Sequence, residues 1–235
     1  MGTRSMGRTF DYVPRLVEAN NDYLVRHTAA ARELAPIDLW NKMTWWTAGA
    51  VTDQGSEGAC VGHGVTQEAM SSPVRVKLQH PDLIAHGVYR RAQQIDEWEG
   101  EAYDGTSVRA GMLVGRDLGW WQSFYWAKNM DELRVALELG PVVIGVAWHE
   151  SMYATTTAGL VVVEGPTTAG HCLLITGFSP NYNRTGPRFR WRNSWGRSYG
   201  LNGNGYIAPN DLDGILFGDG NEAAVAEQQG YGTVK

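Results

Sequence analysis

The chain has 235 residues and a mass of 25.9 kDa, which is enough to bury a hydrophobic core in one large domain or two small lobes. Hydrophobic residues make up 43% of the chain and charged residues 19%, so the composition excludes a disordered protein. The net charge of -5 excludes a nucleic-acid binder held by bulk positive charge, and two cysteines exclude a disulfide-rich secreted scaffold. No apolar run of about 18 residues is present, so we expect no membrane span.

Helical patterns dominate the first part of the chain. Apolar side chains recur at helical spacing, and proline, serine or asparagine stands where such helices would begin. Helices are predicted over residues 23–34, 59–72, 81–98, 108–118 and 129–139.

Buried-strand patterns follow the helices. They are predicted over residues 142–146, 160–163, 173–178, 188–193 and 205–207. Because helices come first and strands second, without βαβ alternation, the pattern predicts an α+β fold with helices and sheet in separate lobes.

The same patterns divide the chain into four parts. Residues 1–50 are predicted to be an N-terminal extension or cross-lobe segment, 51–128 a mainly helical lobe, and 129–218 a β-rich lobe. Residues 219–235 are predicted to form an exposed C-terminal tail.

Cys60 is the first residue with unusual chemistry. It follows a glycine-rich turn and stands where a helix begins, and a helix N-terminus favours a thiolate over a thiol. The same N–H groups would stabilise an oxyanion, and the amide of Gln54 could reach the same point. The alternative interpretation of Cys60 is a small buried hydrophobic residue.

His171 and Asn193 extend this set. His171 precedes an apolar strand, and Asn193 ends another strand, from which its side chain could fix the tautomer and tilt of an imidazole. Trp195 could cover that hydrogen bond. Each residue alone fits a structural role, whereas together they supply the nucleophile, base and orienting group of acyl transfer.

Three segments resemble papain-like cysteine peptidases. They are DQGSEGACVGH (53–63), AGHCLLITGF (169–178) and RWRNSWGRSYGLNGNGYI (190–207). The third is the most specific. DGTSVRAGM (104–112) and GPVVIGV (140–146) are weaker matches, so the resemblance covers about residues 51–210.

The resemblance implies a two-lobe fold with the active site in the cleft between a helical lobe and a β-rich, barrel-like lobe. Carried over by position, it makes Cys60 the nucleophile and His171 its acid/base partner, with Asn193 orienting the imidazole. Gln54 would complete the oxyanion hole and Trp195 would shield the site. Gly105 would contact the backbone of the substrate.

The chain also departs from this family. Glu57 stands where a disulfide cysteine usually precedes the nucleophile, and Val61 replaces the usual aromatic residue after it. The other disulfide cysteines are absent too, as in compact prokaryotic or viral members. These features predict a cytoplasmic or virion-associated protein.

Three further features have less specific interpretations. His63 is predicted to be a solvated or packed histidine. Cys172 is predicted to be a buried thiol that points away from the cleft. The alternating arginines at 188, 190 and 192 are predicted to form a solvent-exposed face.

We therefore expect a thiol hydrolase that cleaves peptide bonds in a peptide or protein substrate. No metal, organic cofactor, nucleic-acid partner or membrane partner is expected. A catalytically silent or structural protein, for instance in a virion, that binds peptide in its cleft is the alternative. A transferase that uses the same acyl-enzyme is a third possibility.

Overall fold

The computed structural model describes residues 36–99, 103–218 and 221–227, so the helix predicted over 23–34 lies outside the described residues. Its helices are α1 (Pro36–Leu39), α2 (Cys60–Met70), α3 (Pro81–Gln93), α4 (Val108–Asp117), α5 (Met130–Leu139) and α6 (Pro209–Asp213). Its strands are β1 (Thr44–Trp45), β2 (Ser123–Trp126), β3 (Val142–His149), β4 (Thr167–Ser179), β5 (Arg188–Arg192), β6 (Asn204–Ile207) and β7 (Ala223–Glu227). None of the described helices has the length and apolarity that crossing a membrane requires.

Local capping groups fix where the helices begin. Pro81 opens α3, Ser107 accepts a hydrogen bond from the Ala110 N–H, and Asn129 accepts one from Glu132. These helices were predicted from the sequence and are confirmed. Helix α3 ends at Gln93 rather than extending to residue 98, where a turn replaces the predicted last helical turn.

The strands form one antiparallel sheet in the order β2-β7-β3-β4-β5-β6, with β1 also paired to β4. The α+β architecture is therefore confirmed. The sheet is open rather than closed, because β2 and β6 lie at its two ends. The barrel-like description of the β-rich lobe needs that correction.

One strand prediction and the prediction of an exposed tail are wrong. Residues 160–163 form no strand, since only Leu160 makes an isolated bridge, to Tyr206. Within the predicted exposed tail, β7 is instead a buried strand paired with both β3 and β2. Strand β2 lies within residues 51–128, predicted as the mainly helical lobe, so the sheet extends into that part of the chain.

The central strands of the sheet are buried on both faces. Leu173, Ile175 and their counterparts on β3 and β7 belong to one hydrophobic cluster, which includes α5. Cys172 and Leu174 belong to the second cluster, with residues of α2, α3 and α4. Because successive strand residues point to opposite faces, each central strand contributes to both cores.

The segment over 44–49 crosses between these parts of the molecule. Arg190 donates to the Trp46 carbonyl at 2.8 Å, and Arg192 donates to the Gly49 carbonyl at 3.1 Å. Ser72 N–H donates to the Thr47 carbonyl at 2.8 Å, just beyond the end of α2. The prediction of a solvent-exposed arginine face is wrong for Arg190 and Arg192, which are half-buried and hold this segment on the sheet.

Candidate active site

Cys60 is the first residue of helix α2, as the sequence predicted. The turn before it is closed by the Gly55 N–H, which donates to the Asp53 carboxylate at 3.0 Å, and by the Ala59 N–H, which donates to the Glu57 carbonyl at 2.8 Å. Ala59 provides no side-chain cap, so the thiol stands at an uncapped helix N-terminus. That position favours negative charge on its sulfur.

His171 and Asn193 form a hydrogen bond across neighbouring strands. His171 lies in β4, and its Nε2 is 2.8 Å from Oδ1 of Asn193, the residue after β5. An amide oxygen only accepts, so Nε2 carries the proton and Nδ1 is left as the basic nitrogen. The Ser194 N–H also donates to this oxygen, at 2.7 Å, which fixes the orientation of the Asn193 amide.

Aromatic rings enclose the imidazole of His171. Trp148 lies edge-on to it with ring centroids 4.7 Å apart, and Trp195 lies tilted against it at 5.0 Å. Tyr153 stacks on the other ring, Trp195, at 5.8 Å. The imidazole therefore has no solvent-exposed surface and a restricted orientation.

Gln54 is held next to Asn193. The Ser194 hydroxyl donates to Oε1 of Gln54 at 2.6 Å, and the Gln54 N–H donates to the Ser194 carbonyl at 2.8 Å. Because Oε1 accepts, the amide NH₂ faces the other way, and it donates to the Glu57 carbonyl at 3.1 Å in the turn before Cys60. The donor thus points towards the turn that precedes the thiol.

Helix α2 packs directly on strand β4. A Cβ atom on Gly64 would lie 2.9 Å from the Cys172 sulfur, so glycine permits the close approach one turn beyond Cys60. Burial raises the pKa of the Cys172 thiol, and electrostatic interactions with Cys60 and Glu222 raise it further. Cys172 is a buried thiol as predicted, on the opposite face of β4 from His171 and against the helix that carries Cys60. Its predicted orientation away from the cleft stays a prediction.

His63 lies on the same helix and is fully buried. Its two ring nitrogens have no hydrogen-bond partner among the described residues, and its ring meets that of His86 edge-on at 5.1 Å. Burial lowers the pKa of His63 to about 3, with smaller contributions from His86 and His171. It is therefore a neutral, packed histidine, close enough to His171 that positive charge on one ring disfavours protonation of the other.

Gly105 is held by a separate set of contacts. It has a φ of 102°, in the region that favours glycine, and its N–H donates to the Tyr89 hydroxyl at 3.1 Å. With that donor engaged, only its carbonyl could pair with a substrate backbone. The predicted substrate contact of Gly105 stays a prediction.

Three residues of this region were not identified from the sequence. Trp148 reaches His171 only through the register of β3 with β4, which pairs Val146 with His171. Ser194 could have been suspected as the neighbour of Asn193. Gln67 lies seven residues after Cys60, a spacing that returns to the same helix face.

No cluster of three or more histidine, cysteine or acidic side chains suited to a metal ion occurs in the described ranges. Hydrogen bonds through Ser194 connect the imidazole of His171 to two carboxamides, those of Asn193 and Gln54, and the Gln54 amide donates to the turn that precedes the Cys60 thiol. Such a set suits nucleophilic acyl chemistry.

Comparison with known proteins identifies the fold. No family model and no curated protein matches the chain. Among solved structures, xylellain, a cysteine protease from Xylella fastidiosa, superposes with a TM-score of 0.63 at 16% identity, covering 98% of this chain and 100% of its own. Procathepsin L2 from the Tenebrio molitor larval midgut has a TM-score of 0.56 at 16% identity, covering 96% and 80% of the two chains.

A recombinant stem bromelain precursor has a TM-score of 0.57 at 12% identity, covering 84% of this chain and 74% of its own. At such low identity the likeness concerns the fold and leaves the chemistry open. The described chain, with helices and an open antiparallel sheet, has the two-lobe fold of the papain-like cysteine proteases.

Proposed function

We propose that the protein is a cysteine peptidase in which Cys60 is the nucleophile. The observation that carries this proposal is the 2.8 Å hydrogen bond between Asn193 and His171, because His171 lies on β4, the strand that packs against the helix beginning at Cys60. That bond holds the imidazole in the tautomer that can exchange a proton with a thiol.

In the proposed reaction, the Cys60 thiolate attacks a peptide carbonyl. The Cys60 N–H and the Gln54 amide stabilise the oxyanion. Nδ1 of His171, which took the proton of the Cys60 thiol, gives that proton to the leaving amine as the C–N bond breaks, while the Nε2 proton stays hydrogen-bonded to Asn193. Water then hydrolyses the thioester with His171 as the base. Asn193 keeps the ring oriented through both steps, and the ring of Trp195 keeps water away from the hydrogen bond.

One observation favours a second candidate. Cys60 and His171 have no exposed surface, so a substrate reaches them only after neighbouring residues move. A catalytically silent protein that binds peptide in its cleft would tolerate that burial. The transferase alternative requires the same acyl-enzyme and an amine acceptor.

The test uses a fluorescent casein substrate, because it presents many side chains at once. We expect Cys60→Ala to abolish hydrolysis and Cys172→Ala, the matched control, to retain it. Iodoacetamide at pH 6 should label Cys60 in preference to Cys172, since burial raises the pKa of Cys172.

Two results would overturn the proposal. Hydrolysis that persists in Cys60→Ala would exclude this cysteine as the nucleophile. Peptide binding by a wild-type protein that neither hydrolyses casein nor is labelled at Cys60 would establish the silent alternative. Release of amide product with an added amine would indicate the transferase.

A further inference from the structure

Gln67 joins the helix of Cys60 to the strand end that carries Asn193. Its side chain is only 2% exposed, and its Nε2 donates to the Thr52 hydroxyl at 2.6 Å and to the Asn193 carbonyl at 3.3 Å. A buried amide with two such acceptors has one defined orientation. The contact therefore fixes a distance between α2 and the Asn193 backbone.

The position of Gln67 on the helix gives this contact its importance. Seven residues correspond to about two helical turns, so Gln67 and Cys60 lie on nearly the same face of α2. The Ser71 hydroxyl donates to the Gln67 carbonyl at 2.6 Å within the last turn. Movement of Asn193 relative to Gln67 would thus be movement relative to Cys60.

Two neighbouring hydrogen bonds join the same two segments, and their donors lie on opposite segments. The Gly196 N–H donates to the Thr52 carbonyl at 3.0 Å, and the Gln54 N–H donates to the Ser194 carbonyl at 2.8 Å. Both join backbone to backbone and survive side-chain substitution. Gln67 supplies the side-chain donor that reaches Asn193 itself.

We propose that Gln67 is a positioning residue, which sets the His171 ring relative to Cys60 by anchoring the Asn193 backbone to helix α2. The inference rests on the proposed peptidase function for its kinetic consequences. A merely structural Gln67 would change stability and leave the chemistry of each folded molecule unaltered.

The kinetic test compares Gln67→Leu with Thr66→Val. Thr66 is the neighbouring residue, and its buried hydroxyl has no hydrogen-bond partner among the described residues, so its loss leaves the site intact. Rates are expressed per thiol titrated by rapid alkylation at pH 6, where the ordinary, protonated thiols of an unfolded chain react slowly and contribute little. We expect Gln67→Leu to lower kcat about tenfold, with KM within about twofold, because a misplaced base slows chemistry rather than binding.

The pH profile gives a readout that a structural role would not move. Without the Gln67 contact, Asn193 is held less firmly, and its hydrogen bond to protonated His171 becomes weaker. The pH range of activity should therefore shift in Gln67→Leu and stay fixed in Thr66→Val. Gln67→His keeps an N–H donor at a similar reach and should recover part of kcat. An unchanged kcat per titrated thiol in Gln67→Leu, with an unchanged pH profile, would overturn the proposal.

A spectroscopic measurement separates this inference from the proposed function. The Nε2 proton of His171, held by Asn193, should give a slowly exchanging ¹⁵N-coupled resonance in the wild type. Gln67→Leu should speed its exchange, and Thr66→Val should not. This result holds whether or not casein is cleaved, and equal exchange in all three proteins would refute the positioning role.

Discussion

The buried polar groups on the two sides of helix α2 differ in their hydrogen bonding. Towards the sheet, Gln54 and Gln67 are hydrogen-bonded to Ser194 and Asn193 at 2.6 to 3.3 Å. Towards α3, the ring of His63 has no hydrogen-bond partner among the described residues and packs on another histidine. The hydrogen bonds on the sheet side fix the positions of the groups that they join. On the α3 side, the neutral ring of His63 contributes packing alone.

The difference shows which parts of the fold hold their buried polar groups in hydrogen bonds. An unpaired buried polar group costs about 1–3 kcal/mol, so each one is tolerated only if the rest of the fold compensates. Gln54 and Gln67 are hydrogen-bonded next to Asn193, which orients His171, whereas the ring of His63 packs against His86 of α3. We expect substitutions on the sheet side to alter the chemistry, and substitutions on the α3 side to alter stability and its pH dependence.

The strongest test of the matched side is Asn193→Ala. Removing Oδ1 frees His171 to rotate and to take the other tautomer, so we expect kcat to fall about 100- to 1,000-fold. Asn129→Ala is the control, since it loses only the cap of α5, a stability cost of about 1 kcal/mol. A kcat within a few-fold of wild type, measured with casein, would contradict an orienting role for Asn193.

Lowering the pH tests the side of helix α2 that carries His63 and faces α3. The pKa of His63 is lowered by burial to about 3 from its usual 6.5, so the unfolded chain takes up the proton first. Stability is unaffected above pH 6.5 and falls as the pH drops towards 3, by about 3 kcal/mol between pH 7 and pH 4. His63→Leu should lack this loss.

Urea unfolding at several pH values measures this effect, with both proteins carrying Cys60→Ala to prevent self-cleavage. Glu68 acts in the opposite sense, because burial raises its pKa and its cost grows with pH. Glu68 is present in both proteins and cancels in the comparison. Parallel pH curves for the two proteins would show that His63 is not the group responsible.

The smallest effect is expected from Ser194→Ala. Without the hydroxyl that donates to Oε1, the Gln54 amide can turn and withdraw its donor, which should lower kcat/KM about tenfold. Ser151→Ala serves as the control, because its hydroxyl bonds the Val162 carbonyl at an exposed position. Equal kcat/KM in the two variants would indicate that the Gln54 amide is held by its other contacts.

Much of the fold could be predicted because its signals are local. Capping residues and periodic apolar side chains fixed the helices, as at Ser107 and Asn129. Strand β7 could not be found this way, because its Ala-rich run has weak strand propensity and is a strand through its pairing with β3 and β2. The opposite error occurs at residues 160–163. Their side chains have high strand propensity, but this segment forms only one isolated β-bridge.

For the candidate site, residue types in short motifs were informative and register was not. Cys60 at a helix start and Asn193 at a strand end follow from neighbouring residues. The packing of Trp148 on His171 depends on which residues β3 and β4 place opposite each other. That pairing depends on the whole sheet, so no single-sequence pattern predicts it.

Adjacent residues of strand β4 point to opposite faces of the sheet: His171 contacts the aromatic rings, and Cys172 contacts helix α2. An insertion or deletion of one residue before this point would exchange the two faces, burying the thiol among the tryptophans and turning the imidazole into the helical core. Such a shift in strand register would disrupt the fold far more than most single-residue substitutions. Length between fixed pairing points is therefore the property under strictest constraint here, which is compatible with a shared architecture at 16% identity.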